Sequence, residues 1–196
     1  MSVTILSPRS NDTVTNPVVI VSDFNFTAAT NLTCEVVGTG KSDGPANVNG
    51  NDLHSSAGLA PDPDHTYTVR VAGSNGDADS QPNINVISGQ PPVVIDAAVR
   101  GADGKGKAGK TEYTLSGVVD TSTNPKVVVC VAYRVKNKNL IPQDIDGGFP
   151  DRDSGEWTAK VNVICNPNDR TIVRVAVLDN AFTVIGTTTR VLTDCK

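Results

Sequence analysis

TYTVRVAGSNG at residues 66–76 and RTIVRVAVLDN at residues 170–180 share the run Val-Arg-Val-Ala, each time in an alternating segment that ends in turn-forming Asn, Gly or Asp. Period-two alternation puts Tyr67, Val69 and Val71 on one side of an extended chain and Thr68, Arg70 and Ala72 on the other. One domain type written twice, with each run a late, core-facing strand, accounts for both. TNLTCEVVG at 30–38 likewise parallels TNPKVVVCVAYRV at 123–135. The spacing between these anchors is longer in the second half by about 11 residues, which we place mostly in 136–155.

A chain of 196 residues accommodates two such domains. Val, Thr, Asn, Asp, Gly and Pro dominate, and the residues that fill amphipathic helices are scarce. Strand-like runs fall at SVTILSP, PVVIVSDFNFT (17–27, with Ile20, Phe24 and Phe26 facing a core), LTCEVVG and DSQPNINVISG. A second set falls at PVVIDAAVRG, TEYTLSGVVDT, KVVVCVAYRV, EWTAKVNVIC, DRTIVRVAVLDN and FTVIGTTTRVLTD. GQPPVV at 89–94 reads as a stiff joint, because consecutive prolines lack amide donors. We therefore expect an all-β chain: a first sandwich over 1–88, a Pro-rich linker at 89–92, and a second sandwich over 93–196 carrying an inserted loop at 136–155.

The formal charge of −4 comes from 17 basic and 21 acidic residues with no Lys/Arg block, which argues against a nucleic-acid partner. RGADGKGKAGK at 100–110 reads as a mobile, solvated loop. No apolar run reaches 18 residues, and MSVTILSPRS has neither a charged n-region nor an h-region. A soluble chain without membrane insertion or secretion signal is the expectation.

Little in the sequence suggests catalysis. His54 and His65 stand in loop-like sequence, and neighbours such as Asp52 and Ser55 would point away from His54 on a strand. We expect no enzyme and no cofactor, with one reservation. Asp144, Asp146, Asp151 and Asp153 crowd into DIDGGFPDRDSGE, a density of hard oxygen ligands that suits calcium, although Gly148 and Phe149 break the EF-hand pattern. An acidic, solvent-facing loop is the competing reading.

The same insertion holds Leu140, Ile141, Ile145 and Phe149. These suit either a contact surface or a cap over the open end of the sandwich. Four cysteines show no zinc spacing. In a seven-strand sandwich the fifth and last strands finish at one pole, so Cys165 and Cys195 can meet in a bridge contributing up to roughly 3 kcal/mol, unless a reducing compartment keeps both as thiols.

VTILSPRSNDTVTNPVVIVSDFNF at 3–26 resembles the opening of bacterial and phage immunoglobulin-like domains, and at the level of pattern is similar to fibronectin type III modules. Ile5, Ser7, Pro8, Val14 and Val19 carry the likeness. It implies two tandem immunoglobulin-like antiparallel sandwiches of about seven strands each, with no shared functional residue. The expected role is a non-catalytic virion structural protein, a phage capsid or tail decoration protein contacting other virion proteins or copies of itself. The alternative is an exported extracellular or cell-surface adhesion module binding a host-surface glycan or protein.

Overall fold

A computed structural model of the chain describes residues 3–24, 32–43, 48–49, 53–55, 58–74 and 76–195. The described residues form strands and short turns, with only two three-residue 3-10 turns and no helix long or apolar enough to cross a membrane. The chain divides into two compact units, Met1–Gln90 and Pro91–Lys196.

The first unit contains β1 (Val3–Ser7), β2 (Thr13–Thr15), β3 (Val21–Phe24), β4 (Thr33–Val36), β5 (Lys41–Asp43), β6 (Val48–Asn49), β7 (Leu53–Ser55), β8 (His65–Ala72) and β9 (Ala78–Ile87). They form two sheets, β1-β3-β7-β6 and β2-β9-β8-β4-β5. The Ser7-Pro8 peptide is cis, and across it the chain leaves β1, which pairs with β3, and joins β9 as the parallel strand β2. Asp79 Oδ2 accepts from Ile5 N at 2.8 Å and so ties β1 to the opposite sheet. Ile5, Ile20, Phe24, Val69, Val71, Ile84 and Val86 are buried in one cluster, Tyr67 packs against it, and Phe26 lies outside the described residues.

The second unit contains β10 (Val93–Arg100), β11 (Thr111–Val119), β12 (Pro125–Lys136), β13 (Asn139–Gly148), β14 (Glu156–Val163), β15 (Arg170–Asp179) and β16 (Val184–Val191). Its sheets run β10-β11-β14 and β13-β12-β15-β16. Tyr113, Leu115, Trp157, Val161, Val128, Cys130, Val173 and Val175 share the core between them.

The two Val-Arg-Val-Ala runs hold the same station, on β8 and β15, with both valines of each at zero exposure. Each also faces a buried cysteine outside any disulfide on the neighbouring strand: Cys34 is paired with Val71, and Cys130 with Val175. The repeat is therefore anchored on the cysteines, not on the Thr-Asn letters that suggested the alignment.

One expectation is corrected. Residues 136–155 are not a loop, since half of the segment is the ten-residue strand β13. Pro142 made it look broken, but β13 pairs only with β12, and Gln143 bulges out of register between Asp144 and Pro142, so proline disrupts no second ladder. The glycine-lysine segment at 100–110 is largely exposed, as a solvated loop should be, and is tied down at its base. Gly106 N donates to Lys110 O at 2.7 Å, Lys107 N to Asn162 Oδ1 at 2.8 Å, and Lys110 Nζ to Gln143 O at 2.9 Å.

Each unit has its own buried cluster, so each is expected to fold when expressed alone over 1–90 or 91–196. Trp157, the single tryptophan, reports the second unit only. Its emission in the 91–196 fragment should match the full chain, and a fragment with solvent-exposed emission contradicts the division.

Candidate functional site

The two sheets of the second unit differ in what they present outward. On β11 and β14, Tyr113, Leu115, Trp157, Ala159 and Val161 point inward, while Glu112, Thr114, Ser116, Thr158 and Lys160 alternate with them. That is the pattern of a sheet with one wet face.

β12 and β15 read differently. Val128, Cys130 and Ala132 join the core, yet the alternating Val127, Val129, Val131 and Tyr133 are apolar too. Registration carries the same face across the sheet. Val131 is opposite Ile145, Val129 is opposite Ala176, and Val127 is opposite Leu178, which in turn pairs with Val184. Ile172, opposite Tyr133 and Val191, has zero exposure without belonging to the core cluster. Ile145 at 65% and Val184 at 54% are the most open members. Arg174, Thr187 and Thr189 interrupt an otherwise apolar surface. A strand with apolar residues on both faces is what a sheet covered on both sides requires.

The four expected contact residues separate on this frame. Leu140 and Ile145 lie on the outer face, opposite Val135 and Val131. Ile141 has the opposite parity, beside Arg134. Phe149 follows the end of β13, is 76% exposed, and has Lys126 Nζ 5.7 Å from its ring centroid. None of the four belongs to the core cluster. Phe149 also lines a shallow cleft of about 570 Å³ with Thr121, Asn124, Lys126, Arg152 and Asn180.

The acidic residues do not assemble a calcium site, and no metal-binding cluster occurs among the described residues. The carboxylates of Asp144, Asp146 and Asp151 are committed to main-chain donors instead. Asp146 Oδ2 accepts from Lys160 N at 2.6 Å, Asp144 Oδ2 from Asn162 N at 2.7 Å, and Gln143 Oε1 from Ile164 N at 2.8 Å. These three side chains of β13 cap alternate amides on the open edge of β14. Asp151 closes its own turn by accepting from Asp153 N at 3.0 Å and Ser154 N at 2.8 Å, and Asp153 only donates there. The other seam of the sandwich is closed with inverse polarity, where Arg190 Nη1 donates to Ile95 O and Asp96 O, both at 2.8 Å. Unpaired strand edges invite foreign strands, and both seams are blocked by side chains.

Burial alone would push the Asp144 carboxyl up. The hydrogen bonds from Asn162 and from Ile145 N, aided by the Lys107 charge, outweigh it and hold the group below its ordinary value. A lowered carboxyl stabilises the fold above its unfolded pKa, and that contribution is lost as pH falls through the folded value. Asp144→Asn is expected to cost about 1–2 kcal/mol near neutral pH, with the difference from wild type closing below about pH 4. Chemical denaturation across that range checks it, and a pH-independent difference counts against the carboxylate.

Cys165 and Cys195 are joined by a disulfide spanning 30 residues, with Cα atoms 4.7 Å apart. Cys130 is buried, and desolvation with the nearby Asp146 charge pushes its thiol up to about 12, which leaves it protonated and inert. His65 is exposed, with Nδ1 2.8 Å from Pro63 O. The side chain of His54 lies outside the described residues. No protein-family model matches the chain, and no curated protein matches it significantly.

Proposed function

We propose that this chain is a non-catalytic structural protein that assembles through the outer face of β13-β12-β15-β16, in the setting of a virion surface as a capsid or tail decoration protein. The observation that carries the reading is the apolar outer face, broken only by Arg174, Thr187 and Thr189 on β15 and β16, which a solitary sandwich has no use for and which a protein partner would cover. The likeness of residues 3–26 to phage immunoglobulin-like domains supports the setting. So does the disulfide, since such bonds persist on virions and cell surfaces. Copies arrayed by particle symmetry gain avidity from modest individual contacts.

An antibody raised against the chain should label purified particles at many symmetry-related positions. Label confined to a cell envelope removes the virion setting and favours surface adhesion. Ile145→Ser should abolish particle binding without changing the melting transition, and Phe149→Ser, off that face, should leave binding intact. Binding lost only with Phe149→Ser transfers the function to the cleft beside Asn124 and Asn180, whose polar lining and exposed ring suit a glycan.

A further inference from the structure

We propose that the occupant of the outer face is a second copy of this chain, packed face to face with strands antiparallel about a twofold axis through the Val129–Ala176–Thr187 row. The inference rests on the assembly role above and names its partner. Two observations select a second copy and its orientation.

The first is area. Four strands spaced about 4.8 Å apart and about ten residues long at roughly 3.4 Å per residue give a face of about 600 Å², so a pair buries about 1,200 Å² in total, at the lower end of stable interfaces. Sheets packed face to face align within about 30°.

The second is charge. Lys105, Lys107 and Lys110 in the β10–β11 loop and Lys136 and Lys138 in the β12–β13 turn stand at one end of the sandwich. At that end Asp103 and Asp169 are each paired with an arginine, and Asp194 Oδ1 accepts from Tyr113. At the opposite end Asp120, Asp151, Asp153, Glu156 and Asp179 outnumber Lys126 and Arg152. Antiparallel packing sets each acidic end against a basic end, whereas parallel packing would oppose like with like.

Arg174 fixes where the axis runs. An axis through its own row would bring two guanidinium groups together. Moved one row, to Ala176, it separates them and sets each over Leu178 of the partner subunit.

Sedimentation velocity of the full chain across concentration is expected to show a monomer–dimer equilibrium. Ile145→Lys and Val184→Lys should each weaken the dimer about 100-fold while Trp157 emission stays native. Thr187→Cys should form an intermolecular disulfide under mild oxidation, because only the antiparallel arrangement places this edge-strand position opposite itself, and Cys34 and Cys130 are buried. A chain monomeric at all concentrations overturns the inference, and so does a dimer indifferent to both lysine variants or a Thr187→Cys dimer that does not cross-link. A monomer whose particle binding is still lost with Ile145→Lys overturns the self-pairing alone and leaves the assembly role standing.

Discussion

Gly117→Val is expected to unfold the second sandwich while leaving the first intact, at a cost of at least about 3 kcal/mol. Gly117 stands mid-strand on β11, directly opposite Trp157 on β14 and Ile95 on β10. Its side-chain position faces the core, and the indole occupies the space. A Cβ there would run into the Val94 carbonyl oxygen and come within 2.8 Å of Trp157 Cζ2. The carbonyl is backbone in a paired strand and cannot yield, so β10 must separate from β11 or the indole must leave the core. An aromatic ring laid over a cross-strand glycine repairs the packing that glycine forfeits, and the pair is therefore specific in both members. Because the chain has one tryptophan, its emission should shift to that of a solvated indole. Gly148→Ala is the comparator, as its Cβ would meet nothing closer than Thr158 O at 3.4 Å. Native emission and melting in Gly117→Val would show that the ring does not fill that space.

Trp157 and Gly117 also show what the sequence concealed. Alternation in TEYTLSGVV and EWTAKVNV located both strands and assigned inward faces, yet the pairing of glycine with tryptophan is a matter of register, which alternation does not specify. The repeated Val-Arg-Val-Ala runs were legible because a core-facing strand repeats its chemistry when the domain does. The strand β13 was not, because Pro142, Gly147 and Gly148 are breakers in any strand except an edge strand, and edge position is a property of the assembled sheet. Asp144 and Asp146 suggested calcium because hard oxygen donors look the same in sequence whether they meet a cation or a main-chain amide. Which they meet depends on the open edge of β14, a non-local fact. The outer face did leave a signal in KVVVCVAY, an apolar run longer than one buried face requires.

Reducing the Cys165–Cys195 bond, or replacing Cys195 with serine, is expected to lower the stability of the second sandwich by about 3.6 kcal/mol, the entropy of a closed loop of this length. For a unit of this size that is a fall in Tm of roughly 15 °C. The bond ties the end of the chain to the segment leaving β14. Other contacts reach the same end: Arg100 Nη1 donates to Asp194 O at 2.7 Å, Tyr113 donates to Asp194 Oδ1 at 3.0 Å, and Leu192 N donates to Thr171 O at 2.9 Å. Burial, then the hydrogen bond to Asp194, raises the Tyr113 hydroxyl pKa far above its ordinary value, so this contact persists at the mildly alkaline pH where thiol reductants act. Reduction should therefore destabilise without releasing the last strand, and Trp157 emission at room temperature should stay native while the melting midpoint drops. The first sandwich, whose Cys34 is buried and outside any disulfide, should melt unchanged in the same experiment. Equal midpoints with and without reductant would show that the bond contributes nothing to the fold. A fall shared by both units would show that they do not melt independently. A fall confined to the second makes this domain most stable where disulfides persist, on an exposed surface and not in a reducing cytoplasm.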